Sequence, residues 1–392
     1  MSARWPLVIV LALTLSGAVF VGPAITDEPC DVIGGTGTTH ATVGELLAAM
    51  SPGDTGCLHG YPENAEPSNS GLYEENVTIT GSGVTLRSHP GEVAQIKGRL
   101  SIAAPDVTVS HLVLDGRNTS DHTSPRITQV GDRARLVDNV ITTRGTTSCV
   151  WLDGTSTDIL DGVEVQHNRI HDCNTAVTVE HADYSKVMHN LIYDHNGVGV
   201  RLTPDADQGS VYANVIDRSV HSVEIGPESD SNYVGMNVLA NPTTWNLKIP
   251  AQPGTHNVFG SNCVWKSGGD GIDYTYTTNS WQFEKVIVAA NRTANPGYLG
   301  AASEADYTIQ STSGCHGTTG NMSAAVSDNG RPHREQAVNL RPNVLFIVSD
   351  DQRADTMDVM PKTVARLKGP AGTGGGGTEY QQAFVTTPLC CP

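Results

Sequence analysis

The amino-acid sequence predicts a mainly β protein, a solenoid of stacked parallel coils, followed by a short C-terminal segment of α/β character. A short apolar phrase that ends near an Asn recurs through most of the chain. The composition is turn-rich, with 41 Gly and 21 Pro in 392 residues and a hydrophobic fraction of 38%. Such a composition favours a β architecture over a helical bundle. A different pattern, typical of a strand and a helix of an α/β fold, occupies residues 341–392.

The N-terminus has the features of an export signal. Arg4 is followed by an almost wholly apolar stretch at 5–21 and by small residues at 22–24. This order predicts a secretory signal peptide over residues 1–25. The alternative is an uncleaved membrane anchor, but the apolar stretch is slightly short for crossing a bilayer. We therefore expect a secreted, extracellular protein without a membrane segment after cleavage.

The repeat consists of an apolar residue, two free positions, an Asn, one free position and another apolar residue. It is seen in "VEVQHNRI" at 163–170 and again in "KVMHNLI" at 186–192. The repeated position is occupied by Leu112, Asn139, Asn168, Asn190, Asn214, Asn237 and Asn262. Each copy predicts two short β runs separated by a tight turn at the Asn, whose side chain tolerates unusual backbone angles.

Stacking would complete such a unit, because one coil cannot bury its apolar face alone. Equivalent side chains then lie about 4.8 Å apart along the axis. An Asn inside the stack can bond to the Asn above and below it, which offsets the cost of burying its amide. The pattern resembles the right-handed parallel β-helix of pectate-lyase-like proteins, over a domain at 26–318. That fold hosts lyases, hydrolases, epimerases and inert adhesins, so it implies no particular activity.

Polar side chains recur at equivalent positions of the predicted coils. Paired carboxylates with a base nearby can bind calcium and a uronic acid, or perform acid/base chemistry. The alternative is that these are ordinary solvated turn residues. The candidates are Asp172, Asp194 and Arg218 in one column, His167 and His189 in another, and Glu180, Arg201 and Glu224.

The eight cysteines are expected to pair in an oxidising compartment. Chain order suggests Cys30–Cys57, Cys149–Cys173 and Cys263–Cys315, although sequence alone leaves the connectivity open. This pairing leaves Cys390 and Cys391. The net charge of −17 argues against a nucleic-acid partner and means that an anionic substrate needs a local cation.

The periodicity fades after Cys315, and residues 319–340 are predicted to form a linker. The run "VLFIV" at 344–348 is typical of a buried strand of a parallel sheet. Asp350 and Asp351 follow it, at the end of the strand where α/β folds place ligands. Residues 360–369 then predict a helix.

The segments "RPNVLFIVSDDQRADTM", "MPKTVARLKG" and "GTEYQQAFVTTPLCCP" resemble the start of a type I sulfatase, of the branch that includes N-acetylglucosamine-6-sulfatases. The family motif is Cys-x-Pro-Ser-Arg. The resemblance implies that Cys390 is the Cys oxidised to formylglycine, by a formylglycine-generating enzyme, with Cys391 at the free position. It also implies that Asp350, Asp351 and Cys390 bind calcium or another divalent cation. The Ser and Arg are absent, so we expect a truncated and inactive sulfatase.

Together these features predict a secreted glycan-acting protein. Its sulfatase part would hydrolyse sulfuric esters, and its β-helix would bind or cleave the same polysaccharide or sulfated glycan. One alternative is a non-catalytic adhesive or carbohydrate-binding β-helix. Another is that the β-helix is itself a polysaccharide lyase or hydrolase.

Overall fold

The structure is a computed structural model that describes residues 29–63, 71–118, 124–143, 147–275, 277–278, 286–298, 307, 309–316 and 318. The predicted signal peptide at 1–25, the linker at 319–340 and the segment 341–392 lie outside the described residues. Among the helices that are described, none has the length and apolar character needed to cross a membrane.

The described chain winds through three long sheets whose strands pair almost entirely in parallel. In spatial order, the strands of the first sheet are Val32–Gly34, Thr55–Leu58, Thr85–Ser88, Thr108–Ser110, Arg135–Val137, Glu164–Gln166, Lys186–Met188, Ser210–Tyr212, Tyr233–Gly235, Asn257–Gly260, Val286–Ala289 and Thr277–Thr278. Those of the second are Tyr61–Pro62, Glu92–Lys97, Leu112–Asp115, Val140–Thr142, Arg169–His171, Leu191–Tyr193, Val215–Asp217, Val238–Ala240, Cys263–Trp265 and Arg292–Thr293, with Leu72–Tyr73 also paired to Glu92–Lys97. Those of the third are Trp245–Lys248, His221–Ile225, Val198–Leu202, Thr175–Glu180, Ser148–Asp153, Arg126–Thr128, Leu100–Ile102 and Val77–Ile79.

This topology confirms the predicted parallel solenoid and adds a strand to each coil. The sequence predicted two β runs per repeat, whereas the central coils contain three, one in each sheet. The third run was visible as alternation in segments such as Thr175–Glu180, "TAVTVE". Leu160–Asp161 and Ala182–Asp183 form a further small parallel pair.

The core is a column of aliphatic side chains, one from each coil at every inward-facing position. In the second sheet, Leu114, Ile141, Ile170, Ile192 and Ile216 pair in register and are all fully buried. Each therefore packs on its neighbours above and below, and the coils stabilise one another through the hydrophobic effect.

A short helix, Val43–Ala49, packs against the first coils. Thr42 and Glu45 form a capping box at its start, and Leu46 is fully buried on its inner face. The Glu75 carboxylate accepts hydrogen bonds from the backbone N–H groups of Val43 and Gly44, at 2.7 and 3.1 Å. The helix thus covers apolar surface that the solenoid would otherwise expose at this end. A short 3-10 helix, Gly116–Asn118, follows Leu112–Asp115.

Three disulfides tie the coils, and they join Cys30 to Cys57, Cys149 to Cys173 and Cys263 to Cys315. This is the pairing suggested by chain order. Disulfides persist in oxidising compartments, so the bonds support an extracellular or periplasmic location.

The Asn column is a continuous hydrogen-bonded ladder in the corner between the first and second sheets. Asn190 Oδ1 accepts from the backbone N–H of Asn168 at 2.9 Å and from its Nδ2 at 3.1 Å. Asn190 Nδ2 donates to Val165 O at 2.8 Å and to Asn214 Oδ1 at 3.0 Å. The same pattern extends from Leu112, whose backbone N–H donates to Asn139, as far as Asn291, a member that the sequence analysis missed.

The turn itself is made by the residue before the Asn, which corrects the sequence prediction. His167 and His189 have φ of 56° and 55°, and Ala213, Met236 and Ser261 adopt similar values. A left-handed conformation at a residue other than Gly costs of order 1 kcal/mol. The Asn amide is fixed by its four hydrogen bonds, so the preceding residue makes the sharp change of direction.

We predict that Asn190→Ala lowers the free energy of unfolding by about 1–3 kcal/mol, because it leaves Val165 O and the N–H of Asn168 without their buried partners. Denaturant unfolding measures the change. Asn196→Ala is the control, since Asn196 is exposed and lies at the next corner of the same coil. Equal effects of the two substitutions would contradict a structural role for the ladder.

Candidate functional site

A C-terminal segment lies on the outer face of the second sheet. We call its described residues, 294–298, 307 and 309–316, the strap. The disulfide between Cys263 and Cys315 fastens it to the sheet. Beneath it lies a second hydrophobic cluster formed by Leu191, Tyr193, Val215, Val238, Cys263, Tyr307 and Cys315. The strap therefore covers apolar side chains that the sheet presents on its outside.

Polar and aromatic side chains gather where the strap residue Tyr307 meets this sheet. We call this group the Arg–Tyr cluster, and it consists of Arg169, His171, Tyr193, Asp194, Asp217, Arg218 and Tyr307. Strand register builds the cluster, because His171 pairs with Tyr193 and Tyr193 pairs with Asp217 on successive coils.

Arg218 connects two carboxylates in this cluster. Its Nε and Nη2 donate to Asp194 at 2.5 and 2.9 Å, and its Nη1 donates to Asp217 Oδ2 at 2.7 Å. Asp217 is fully buried and also accepts from Asn241 Nδ2 at 2.7 Å and from the Tyr307 hydroxyl at 3.3 Å. Burial raises the pKa of Asp217 above its ordinary value, against the opposing effects of Asn241 and Arg218.

Tyr193 lies between cationic and aromatic groups. Its hydroxyl accepts from Arg169 Nε at 2.5 Å, and the guanidinium carbons of Arg169 and Arg218 lie 5.2 and 5.9 Å from its ring centroid. The His171 ring stacks on it at 5.2 Å. These contacts fix two arginines by cation–π attraction as well as by hydrogen bonds. Burial raises the pKa of Tyr307 above its ordinary value, which keeps its hydroxyl protonated as a donor.

His195 is buried next to this cluster. Its Nδ1 accepts a hydrogen bond from the backbone N–H of Cys173 at 3.3 Å, and only 4% of the residue is exposed. Burial, with a smaller contribution from nearby His171, lowers the pKa of His195 to about 4. The imidazole is therefore neutral at physiological pH.

The structure confirms the predicted column of Asp172, Asp194 and Arg218. These residues follow the register-paired positions on successive coils, and all three have positive φ. Asp194 and Arg218 form an ion pair, whereas Asp172 contacts His171 Nδ1 at 3.1 Å. The sequence analysis missed Tyr193, Asp217 and Tyr307, although the repeat spacing placed the first two on the adjacent column, one residue earlier on each coil.

The other candidates lie elsewhere on the solenoid. His167 and His189 stack with ring centroids 5.2 Å apart at the corner beside the Asn ladder. Glu180 accepts from Trp151 Nε1 at 2.9 Å, and Arg201 donates to Glu224 at 3.0 Å, both on strands of the third sheet. Asp350, Asp351 and Cys390 lie outside the described residues.

Chemically, the Arg–Tyr cluster brings charged, hydroxyl and aromatic side chains together, which suits binding of a polar ligand. The side chains of Asp172 and Asp194 are 45% and 44% exposed, so they offer oxygen atoms to solvent, Asp172 beside His171 and Asp194 beside Arg218. Asp217 is buried and fully hydrogen-bonded, so it positions Arg218 rather than meeting a ligand. Planar polar side chains around an aromatic ring can hydrogen-bond to hydroxyl and acidic groups of a sugar.

Residues 70–246 match the family model described as "NosD: Periplasmic copper-binding protein (NosD)". The match spans fewer than half of the 392 residues and lies within the solenoid.

Two curated relatives match over short lengths. The chain is 39% identical over 54 residues to the "Extracellular sulfatase SULF-1 homolog" of Drosophila melanogaster. It is 42% identical over 57 residues to the "Putative extracellular sulfatase Sulf-1 homolog" of Caenorhabditis elegans. These matches cover 13% and 14% of this chain and only 4% and 7% of the relatives.

Solved structures similar to the chain include a complex of XylC with xylose, with a TM-score of 0.42 at 12% identity over 62% of this chain and 50% of that one. A rhamnogalacturonan lyase has a TM-score of 0.40 at 9% identity, over 70% and 91% of the two chains. The PL6 family alginate lyase AlyGC has a TM-score of 0.37 at 14% identity, over 62% and 38%. Similarity at this level identifies no activity.

The buried His195 predicts a specific pH dependence of stability. Its folded-state pKa of about 4 lies below the ordinary value of 6.5, so protonation favours unfolding. The free energy of unfolding is unaffected by this group above pH 6.5. It falls by about 3 kcal/mol as the pH decreases towards 4, because one pKa unit corresponds to about 1.4 kcal/mol. His195→Asn, which keeps an acceptor for Cys173, should flatten this slope in denaturant unfolding between these pH values.

His256→Asn, the same substitution at an exposed histidine, is the control for the change from His to Asn itself. If His195→Asn and the original protein show the same slope, His195 titrates normally and the inferred effect of burial is wrong.

Proposed function

We propose that this is an exported glycan-acting protein in which the β-helix binds an anionic polysaccharide and residues 341–392 begin a formylglycine-dependent sulfatase. The observation that carries the proposal is the 39% identity over 54 residues to an extracellular sulfatase. The segment in which the sequence predicts a sulfatase, 341–392, has nearly this length. The three disulfides agree with export to an oxidising compartment.

The residue types of the C-terminal segment suit sulfate-ester hydrolysis. A sulfate ester is anionic, so calcium bound by Asp350, Asp351 and the modified Cys390 would offset its charge. Once Cys390 is oxidised to an aldehyde and hydrated, one hydroxyl of its geminal diol can attack sulfur and release the sugar alcohol. The second hydroxyl can then expel sulfate as the aldehyde re-forms. An unmodified thiol has no second hydroxyl for this step.

The Arg–Tyr cluster supports the polysaccharide-binding role of the β-helix. The chain carries a net charge of −17, so an anionic polymer is repelled unless cations are fixed at its binding site. Arg169 and Arg218 are fixed around Tyr193 at the edge of the strap. A second candidate function, a polysaccharide lyase or hydrolase in the β-helix, is favoured by the exposed carboxylates of Asp172, which contacts His171, and Asp194, which pairs with Arg218.

The binding role predicts that Arg169→Gln weakens the affinity for a sulfated oligosaccharide by about tenfold, the equivalent of one lost charge-assisted contact. Isothermal titration calorimetry with the sulfated and desulfated forms measures this. Arg135→Gln is the matched control, because Arg135 pairs with Glu164 on the first sheet, away from the cluster. Equal weakening by both substitutions would indicate unspecific charge attraction and contradict the proposed site. Release of unsaturated or shortened products from the same oligosaccharide would instead favour the lyase or hydrolase.

The sulfatase role predicts modification of Cys390 and not of Cys391. The chain, extended after Pro392 by the Ser-Arg of the family motif, is expressed with a formylglycine-generating enzyme and digested for mass spectrometry. The peptide mass should fall by the difference between a thiol and an aldehyde. The fall should persist in Cys391→Ala and disappear in Cys390→Ala. The assignment would be refuted if the modification depended on Cys391, or if the extended chain carried no modification.

A further inference from the structure

Two histidines and a glutamate meet at a corner of the solenoid far in sequence from the Arg–Tyr cluster. His59 follows the strand Thr55–Leu58, and His89 follows the adjacent strand Thr85–Ser88. Leu58 pairs with Ser88, so the two histidines occupy equivalent positions on neighbouring coils. Their ring centroids lie 4.6 Å apart. Glu92 begins the strand Glu92–Lys97 and reaches back between them.

The donor atoms of these three side chains converge. His59 Nδ1 lies 3.0 and 3.2 Å from the two carboxylate oxygens of Glu92, and His89 Nδ1 lies 3.7 Å from Glu92 Oε1. All three residues offer atoms within 4.8 Å of one another. Metal ligands at about 2.0–2.2 Å from a tetrahedral ion are separated by about 3.3–3.6 Å. The observed spacings bracket this value, so small rotations of the side chains suffice to enclose an ion.

The site is positioned by its neighbours and remains accessible. The backbone N–H of Gly60 donates to Glu92 Oε2 at 2.6 Å, and the Tyr73 hydroxyl donates to His59 O at 2.8 Å. His89 Nδ1 is buried and makes no hydrogen bond within the described part of the chain. The side chains of His59, His89 and Glu92 are 37%, 30% and 25% exposed, which leaves a face open for an ion and for water.

We propose that His59, His89 and Glu92 bind one divalent transition-metal ion of the zinc and copper(II) class, with water completing the coordination. Imidazole nitrogens suit these ions, whereas calcium takes oxygen ligands and would leave both histidines unused. Three protein ligands and an open position are typical of zinc sites that act on a bound molecule. The proposal uses none of the residues of the calcium site proposed for 341–392, so its failure would leave that other proposal unaffected.

The test is isothermal titration calorimetry of the untagged full chain with zinc chloride, and electron paramagnetic resonance with one equivalent of copper(II). We expect one high-affinity zinc site and a copper spectrum with coupling to two nitrogens. His89→Asn should remove one nitrogen from the spectrum. Glu92→Gln keeps an acceptor for Gly60 but lacks the charge. Each substitution should weaken zinc binding by about 10–100-fold or more. Loss of a residue that only supports a metal ligand already has an effect of this size.

His167→Asn is the matched control, because it removes a histidine from another pair of neighbouring rings, His167 and His189, on later coils. It should leave zinc affinity unchanged, and circular dichroism checks that each variant folds. The proposal is overturned if zinc binds no tighter than calcium, if His167→Asn weakens binding as much as His89→Asn, or if Glu92→Gln binds zinc as the original protein does.

Discussion

The buried asparagine ladder is the interaction on which the rest of the solenoid depends. Each amide satisfies a backbone N–H and a backbone carbonyl of the preceding coil and donates to the amide of the next coil, in a corner from which water is excluded. An unsatisfied polar group at this depth is costly, so the ladder fixes which residues of adjacent coils lie opposite each other. This register also aligns the buried aliphatic columns and the exposed columns, because side chains in a strand alternate between the two faces.

The candidate sites are consequences of that register. His171, Tyr193 and Asp217 are separated in sequence by more than twenty residues, and stacking makes them neighbours. The same effect joins His59 to His89. The Arg–Tyr cluster also needs the strap, because Tyr307 supplies one of the hydrogen bonds to the buried Asp217. Its geometry therefore depends on the fastening of the strap by Cys263 and Cys315 as well as on the ladder.

The sequence predicted the parallel solenoid, the Asn column and the disulfides because each leaves a periodic or countable signal. It placed Asp172, Asp194 and Arg218 on one column for the same reason. It missed the third strand of each coil, since segments such as "VGVRL" at 198–202 carry no Asn to mark them. It also missed Tyr307 and the His59–His89–Glu92 group. The position of Tyr307 depends on where a non-repeating segment folds back. The histidine–glutamate group depends on first coils whose spacing differs from the rest. Local sequence patterns encode neither.

The left-handed residue before each ladder asparagine is required by the fold for its backbone conformation and not for one particular side chain. The backbone conformation is the same on each coil, whereas the side chain varies: the position holds His, Asp, Ala, Met or Ser on different coils. Successive members are spaced by about one strand separation, 4.8 Å along the axis. This row is therefore a series of evenly spaced positions at which the side chain differs from coil to coil while the backbone turn is kept. New ligand chemistry can arise along it by point substitution, with spacing already suited to residues that must touch the same ion or the same extended polymer.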